Sequence, residues 1–212
     1  MSQADTKTRL LDAAEQLFSR EGFANTSLRN ITAAADANLA AANYHFGSKE
    51  ALLTAVLERR FHPLNAERQR RLDAVLTEAA AQKRPPRCEE LLRAFIEPTI
   101  CFRQQDQGSR EFVKLVGRSL TAADPLVRAQ VIALVQPLFV QLHRALCQAL
   151  PHLPPTQIFT RLFFVMGAMG HCLCFQGVPE IFKTCPDCNP EDDQFMLNSL
   201  IAFAKAGLEA PC

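Results

Sequence analysis

The sequence predicts an all-α protein of about nine helices, with a three-helix head in residues 1–50 and a larger helical body in residues 51–212. Three observations predict this. Alanine and leucine are abundant, while β-branched residues are sparse, glycine is held to 8, Trp is absent and Tyr occurs once; that composition leans to helix and away from sheet. Apolar residues recur at spacings of three and four along nearly the whole chain, with no convincing strand and no internal repeat. Ser, Thr, Asn or Asp precedes many of these periodic segments, where helix N-caps belong.

Length and charge set further bounds. At 212 residues the chain can bury a substantial core, and 48% hydrophobic against 21% charged residues excludes wholesale disorder. Residues 1–60 carry seven basic and seven acidic groups, residues 61–87 six and three, and residues 88–212 ten and twelve. Bulk charge therefore does not advertise a polyanionic partner, and any such reading rests on local geometry. The opening MSQADTKTRLLDAAEQ has no apolar core of signal-peptide type. The longest uncharged apolar run, Leu162 to Phe175, is fourteen residues. It is too short to span a membrane and reads as a buried helix. The expectation is a cytoplasmic, nucleoid-associated protein with no membrane partner and reduced cysteines.

Taken in order, Leu10, Ala14, Leu17 and Phe18 share one face of a first helix, capped by Asp5 or Thr6 and ended by Gly22. Thr26 or Ser27 caps a second, with Leu28, Ile31 and Ala35 inward. A turn at Asp36-Ala37-Asn38 leads to a short third helix capped by Asn38 and ended at Phe46-Gly47. Asp and Asn tolerate the left-handed backbone such a turn requires. Ser48 caps a fourth helix, striped by Leu52, Leu53, Val56 and Leu57, which Pro63 interrupts or restarts. Three short helices with a tight turn before the last are the parts of a helix-turn-helix. The stretch QKRPPR at 82–87 is a linker. Five further helices follow near 88–104, 108–121, 124–149, 155–175 and 191–208, two of them bent by Pro98 and Pro137. Residues 176–190 read as a loop.

A specific pattern covers the head. It comprises Asn43-Tyr44-His45-Phe46-Gly47-Ser48-Lys49-Glu50-Ala51-Leu52, preceded by Arg9, Leu11, Ala13-Ala14, Leu17-Phe18, Gly22-Phe23, Thr26-Ser27-Leu28-Arg29 and Ile31. In these residues the chain resembles the TetR family of transcriptional repressors. More loosely, NYHFGSK and the stretch from Glu111-Phe112-Val113 to Gly117-Arg118 resemble fatty-acid-responsive repressors of the PsrA type. The resemblance implies a homodimer that binds a palindromic operator in double-stranded DNA and is released by a small effector. The family usually has Gly where Asp36 stands and a bulky aliphatic residue where Ala37 and Ala42 stand.

The chemistry of the head agrees with that implication. A short capped helix with small outward residues fits the major groove. Asn38, Leu39, Ala40 and Ala41 form its leading edge, with the alanines suited to base edges or thymine methyls. Asn43 can pair bidentately with adenine. Tyr44 and His45 offer an O–H and a ring N–H to phosphate; Thr26, Ser27, Arg29 and Lys49 sit at helix starts, where anions are favoured.

In the body, Phe95, Phe102, Phe112, Val116, Phe139, Leu142 and Phe163 are candidates to line an apolar effector site, with Arg103 and His143 as polar anchors; a long-chain fatty acid or acyl thioester suits such a lining. Met166, Gly167, Met169 and Gly170 on one helix and Leu197, Leu200, Ile201 and Ala204 on the last are the expected dimer interface, as the family resemblance implies. The alternatives are a redox- or metal-responsive regulator using Cys185 and Cys188, with His171, Cys172 and Cys174 as further ligands, or a helical interaction module that binds no DNA. No phosphate loop, nucleophile elbow or paired carboxylates point to an enzyme, and no cofactor or metal is expected.

Overall fold

The computed structural model describes residues 3–121, 124–174, 184 and 192–211. Among these it contains nine helices and no strand. They are α1 (Gln3–Glu21), α2 (Leu28–Ala34), α3 (Leu39–Phe46), α4 (Lys49–Ala81), α5 (Cys88–Gln105), α6 (Gln107–Thr121), α7 (Pro125–Ala149), α8 (Pro155–Cys174) and α9 (Asp193–Glu209).

Three of the caps read from the sequence form as expected, whereas Asp5 and Thr6 do not cap α1, because the helix starts at Gln3 and both lie inside it. Ser27, Asn38 and Ser48 each accept from the backbone N–H three residues on, that of Asn30, Ala41 and Ala51. Thr26 is not a cap; it is buried, and its hydroxyl donates to the Gly22 carbonyl at 2.8 Å. Asp36 adopts φ +47°, the left-handed turn residue between α2 and α3.

Pro63 does not end α4, which runs unbroken for 33 residues. One missing hydrogen bond is outweighed by an apolar stripe buried on both sides of the proline: Leu52, Leu53, Val56, Leu57, Phe61, Leu64 and Leu72. The helix thus belongs to both units: it packs against α1 and α3 of the head and α5 and α7 of the body. A single core extends along it, from Phe18 and Ile31 through Phe61, Phe95 and Phe112 to Leu142, Ile158 and Leu208.

The remaining helices close the body. α5 packs between α4 and α9, and α6 against α1, α5 and α8. Arg161 on α8 donates to the carbonyls of Leu208 (2.9 Å), Ala210 (2.5 Å) and Pro211 (3.2 Å), capping the C-terminus of α9. α7 has the length and composition of a membrane span. One of its faces is packed in the core through Val127, Val131, Leu138, Leu142, Ala145 and Leu146, and Arg128, Gln136, Arg144 and Gln148 are exposed on its other side. Those four polar groups suit water, not lipid.

Candidate functional site

The outer surface of α3 is the most distinctive feature of the head. Its N-terminal turn is free of side-chain bulk: Leu39 and Ala40 are exposed, and Ala41 is partly so. Asn43 is exposed, Tyr44 is 75% exposed, and His45 stands edge-on to the Tyr44 ring at 5.2 Å. Only Ala42 of this helix is buried, at the spot where it packs against the small core of the head. An aromatic ring left so far in water beside small and amide side chains is poorly explained by folding alone. Ser27 and Arg29 are exposed at the start of α2.

Lys49 departs from its expected role. Its ammonium donates to the carbonyls of Phe23 and Thr26, both at 3.0 Å, and lies 4.1 Å from the Phe23 ring centroid. It ties the start of α4 to the α1–α2 loop and so sets the position of α3 instead of reaching outward. Thr26 is buried in the same loop, its hydroxyl on the Gly22 carbonyl, and does not reach outward either.

A second polar centre joins head to body. The carboxylate of Glu15 on α1, almost fully buried, accepts from Arg59 and from Arg60 Nη2 (2.6 Å) and Nε (3.0 Å) on α4. Arg60 lies 3.8 Å from Asp106, whose carboxylate caps α6 through the Ser109 N–H at 2.6 Å. These bonds hold the Asp106 carboxyl below its ordinary pKa. Arg60 is held above the ordinary guanidinium value by Glu15 and by the acidic side chains around it, against an opposing effect of burial. Gly108 leaves room for this approach: a Cβ there would stand 2.6 Å from Arg60 Nη2, so the guanidinium would have to shift. The cleft over the joint encloses about 720 Å³. Its lining includes Arg9, Arg59, Arg60, Glu15, Asp36 and Asp106, so it is polar and unlike the expected acyl site.

The expected effector residues fall into separate groups. Phe112 stands edge-on to both Phe61 and Phe102 in the core, at centroid distances of 5.3 and 5.9 Å. Phe139 and His143 gather around Phe159. Phe95 and Leu142 are buried and Val116 partly so. Phe163 points outward, 65% exposed, and lines nothing internal. Arg103 is already paired with Asp193 of α9, and burial, with Arg110 nearby, lowers its pKa. The His143 ring donates from Nε2 to the Pro155 carbonyl at 2.9 Å, joining α7 to α8. Neither polar group is left free as an anchor.

The expected dimer face is also corrected. Leu197, Leu200, Ile201 and Ala204 of α9 and Met169 and Gly170 of α8 are buried within the monomer, and Met166 is partly buried. What α8 and α9 present outward is Phe159, Phe163, Phe164, Phe203 and the open backbone at Gly167, where an added Cβ would meet nothing within 4 Å. The run from Leu162 to Phe175 is accordingly not a wholly buried helix.

Cys174 lies on α8 with its side chain outside the described residues, as Cys185 and Cys188 are altogether. Cys88, Cys101, Cys147 and Cys172 are free thiols, and the described residues form no cluster of three or more potential metal ligands.

Sequence reasoning missed one residue of consequence. Arg68 on α4 is 2% exposed, although it stands among Glu67, Arg70, Arg71 and Asp73 in a heavily charged stretch. A signal was available: Arg68 takes a place in the stripe Phe61, Leu64, Leu72 and Ala79, where every other member is apolar and buried.

Comparison with known proteins decides the family. Residues 10–56 match the bacterial regulatory proteins of the tetR family, and residues 93–207 match the tetracyclin repressor-like C-terminal domain. The chain belongs to the TetR family. The HTH-type transcriptional repressor NicS of Pseudomonas putida is 40% identical over 83 residues, a segment covering 38% of this TetR-family chain and 39% of NicS. The match thus spans about two fifths of that relative's length. Among solved structures, AibR in complex with isovaleryl coenzyme A and operator DNA superposes with a TM-score of 0.66 at 19% identity, covering 93% of this chain and 97% of that one. The fatty acid degradation regulator FadR from Bacillus halodurans gives 0.63 at 14% identity, covering 97% of both chains. These two likenesses bear on the TetR fold alone, head and body together.

Proposed function

We propose that this chain is a ligand-controlled transcriptional repressor that binds a palindromic DNA operator as a homodimer and leaves it when a small apolar effector enters the body. The observation that carries the reading is the outer face of α3. It combines a helix with a capped N-terminus, small residues at its leading edge, and an Asn43-Tyr44-His45 run whose first two members are exposed and whose His45 is half-buried. Ala40 and Ala41 admit the helix to base edges, Asn43 reads a base, and Tyr44, His45, Ser27 and Arg29 hold phosphates.

Symmetry supports the dimer. Reading two half-sites of opposite polarity takes two heads related by a two-fold axis. Phe163, Phe164 and Phe203, each about two-thirds exposed on adjoining helices, form a face for a second copy of this chain. It continues to Phe159, and Gly167 lets two helix backbones approach there. For the effector, the Phe-rich body favours an apolar compound such as a long-chain fatty acid or its thioester. What FadR is named for and what AibR was crystallised with are chemically akin to that choice.

The test is selection of bound fragments from sheared genomic DNA, followed by footprinting. The expected result is a palindrome with half-site centres at least one helical turn apart and affinity that falls steeply with salt. Recovery of no common site, or binding indifferent to salt, overturns the reading.

A further inference from the structure

Arg68 is a charge in the wrong place for folding. Its guanidinium is fully enclosed, yet among the described residues no carboxylate lies within ion-pair distance of it. Its partners are all neutral: Nε donates to the Phe95 carbonyl at 3.1 Å, Nη1 to Asn65 Oδ1 at 3.1 Å and Nη2 to Thr99 Oγ1 at 2.5 Å, while the Phe95 ring stacks 4.4 Å away. Those three bonds use three of the five N–H donors of an arginine fork, so each terminal nitrogen keeps one. Burial lowers its pKa to about 10, which still leaves the group cationic at neutral pH. A buried cation without a counter-charge is costly to keep.

The surroundings are arranged to hold this fork and to yield around it. Asn65 accepts from Arg68 and donates from Nδ2 to the Leu134 carbonyl at 2.8 Å, which fixes the guanidinium at the junction of α4, α5 and α7. Each of these three helices carries an internal proline: Pro63 on α4, Pro98 next to Thr99 on α5, and Pro137 one turn beyond Leu134 on α7. Each proline deletes a bond within its own helix, so each of the three walls around Arg68 can bend there at less cost than a regular helix.

We propose that Arg68 anchors the effector, whose acidic head is a carboxylate on an apolar body admitted at the proline-bearing junction of α4, α5 and α7. This rests on the effector reading above and sharpens it. A free carboxylic acid offers the missing counter-charge and can accept from both terminal nitrogens of the fork, whereas a thioester or ester carries no such charge. Arg103 and His143, committed to Asp193 and to the Pro155 carbonyl, have no comparable opening. The acid would occupy the two remaining donors, and its chain would spread the surrounding helices. Because α4 also carries Arg59 and Arg60 of the head–body joint, that movement reaches the head.

The test uses the full chain with octanoate, dodecanoate and hexadecanoate and their methyl esters, below their micellar concentrations. Melting shifts and release of the selected DNA fragment are read for the wild type, Arg68→Lys and Arg68→Met. The wild type should bind acids at least tenfold more tightly than esters. Arg68→Met should lose that preference, and Arg68→Lys should keep part of it. Should either variant fail to fold, the carbon-13 carboxyl resonance of labelled dodecanoate on the wild type decides: paired with Arg68, it stays ionised well below the pH at which free dodecanoate protonates. Equal binding of acids and esters, or an acid preference intact in Arg68→Met, overturns this proposal and leaves an apolar effector standing. If no acid or ester binds, the fatty-acid effector falls with it.

Discussion

The guanidinium of Arg9 on α1 donates to the main-chain carbonyl of Asp36 at 3.1 Å, and Asp36 is the residue whose φ of +47° turns α2 into α3. The same group donates to the Ala35 carbonyl at 2.9 Å, so α1 caps the C-terminus of α2 from 26 residues away in the chain. The angle between α2 and α3 is thereby held from outside the turn, which compensates for the absence of glycine at its centre.

Asp36→Gly should therefore stabilise the head by about 0.5–1 kcal/mol, since an L-residue pays for positive φ and the exposed Arg9–Asp36 carboxylate contact at 3.7 Å contributes little. Asp36→Val should destabilise by about 1–2 kcal/mol, because a β-branched side chain fits that backbone worse. Urea unfolding of the pair checks this, and shifts of the same sign would refute it.

Lys49 and Tyr44 should separate folding from DNA contact. Lys49→Met loses two bonds to buried carbonyls and the Phe23 ring contact, and should lower stability by about 1–3 kcal/mol. Tyr44→Ala should leave the melt within about 0.5 kcal/mol and weaken DNA binding across sequences. A Lys49→Met variant with an unchanged melt would show that these internal bonds contribute nothing.

At the head–body joint, Glu15→Gln should cost about 2–3 kcal/mol, because it removes the buried carboxylate that Arg59 and Arg60 share. Gly108→Ala should act in the same direction and less strongly, since the mobile end of Arg60 can retreat from the new Cβ. Thermal unfolding of both variants is the measurement; a neutral Glu15→Gln would contradict the assignment.

The two faces of α9 should respond differently. Ile201→Ala creates a cavity in the monomer core and should cost about 2–4 kcal/mol at any protein concentration. Phe203→Ser touches only the outer face. It should shift the monomer–dimer equilibrium, seen by sedimentation, and should lower the melting temperature of the dimer without destabilising the monomer. Sedimentation unchanged by Phe203→Ser would remove this face from the interface.

Cys88 gives a pH prediction. Burial pushes its thiol up to about 12, overriding the helix N-terminus at which it stands. The unfolded thiol ionises near 9, so this contribution is full below pH 9 and is lost as pH rises from about 9 to 12. Stability should fall there by up to about 1.4 kcal/mol per pH unit. Cys88→Ala should flatten that slope, and an identical alkaline profile in the variant would exclude the thiol as its source.

The sequence by itself determined the all-α class, the helix order and the three polar caps of the head, because Ser27, Asn38, Ser48 and the Asp36 turn act over three or four residues of chain. Such local signals need no knowledge of neighbours. The sequence placed Asn43 and Tyr44 outside correctly, but also read Thr26 and Lys49 as outward, which the fold turns inward. Only the tertiary structure decided between alternative faces and partners. α9 is apolar on two sides, and the packing of α5 and α8 against it settles that Leu200 and Ile201 go in while Phe203 stays out. Lys49 and Arg9 are surface cations by composition and become internal braces because carbonyls 23 to 27 residues away in the chain come within reach. Arg68 is charged in the sequence and buried in the fold, and whether such a group is a solvated lysine-like tail or an enclosed anchor depends on the three helices that close over it.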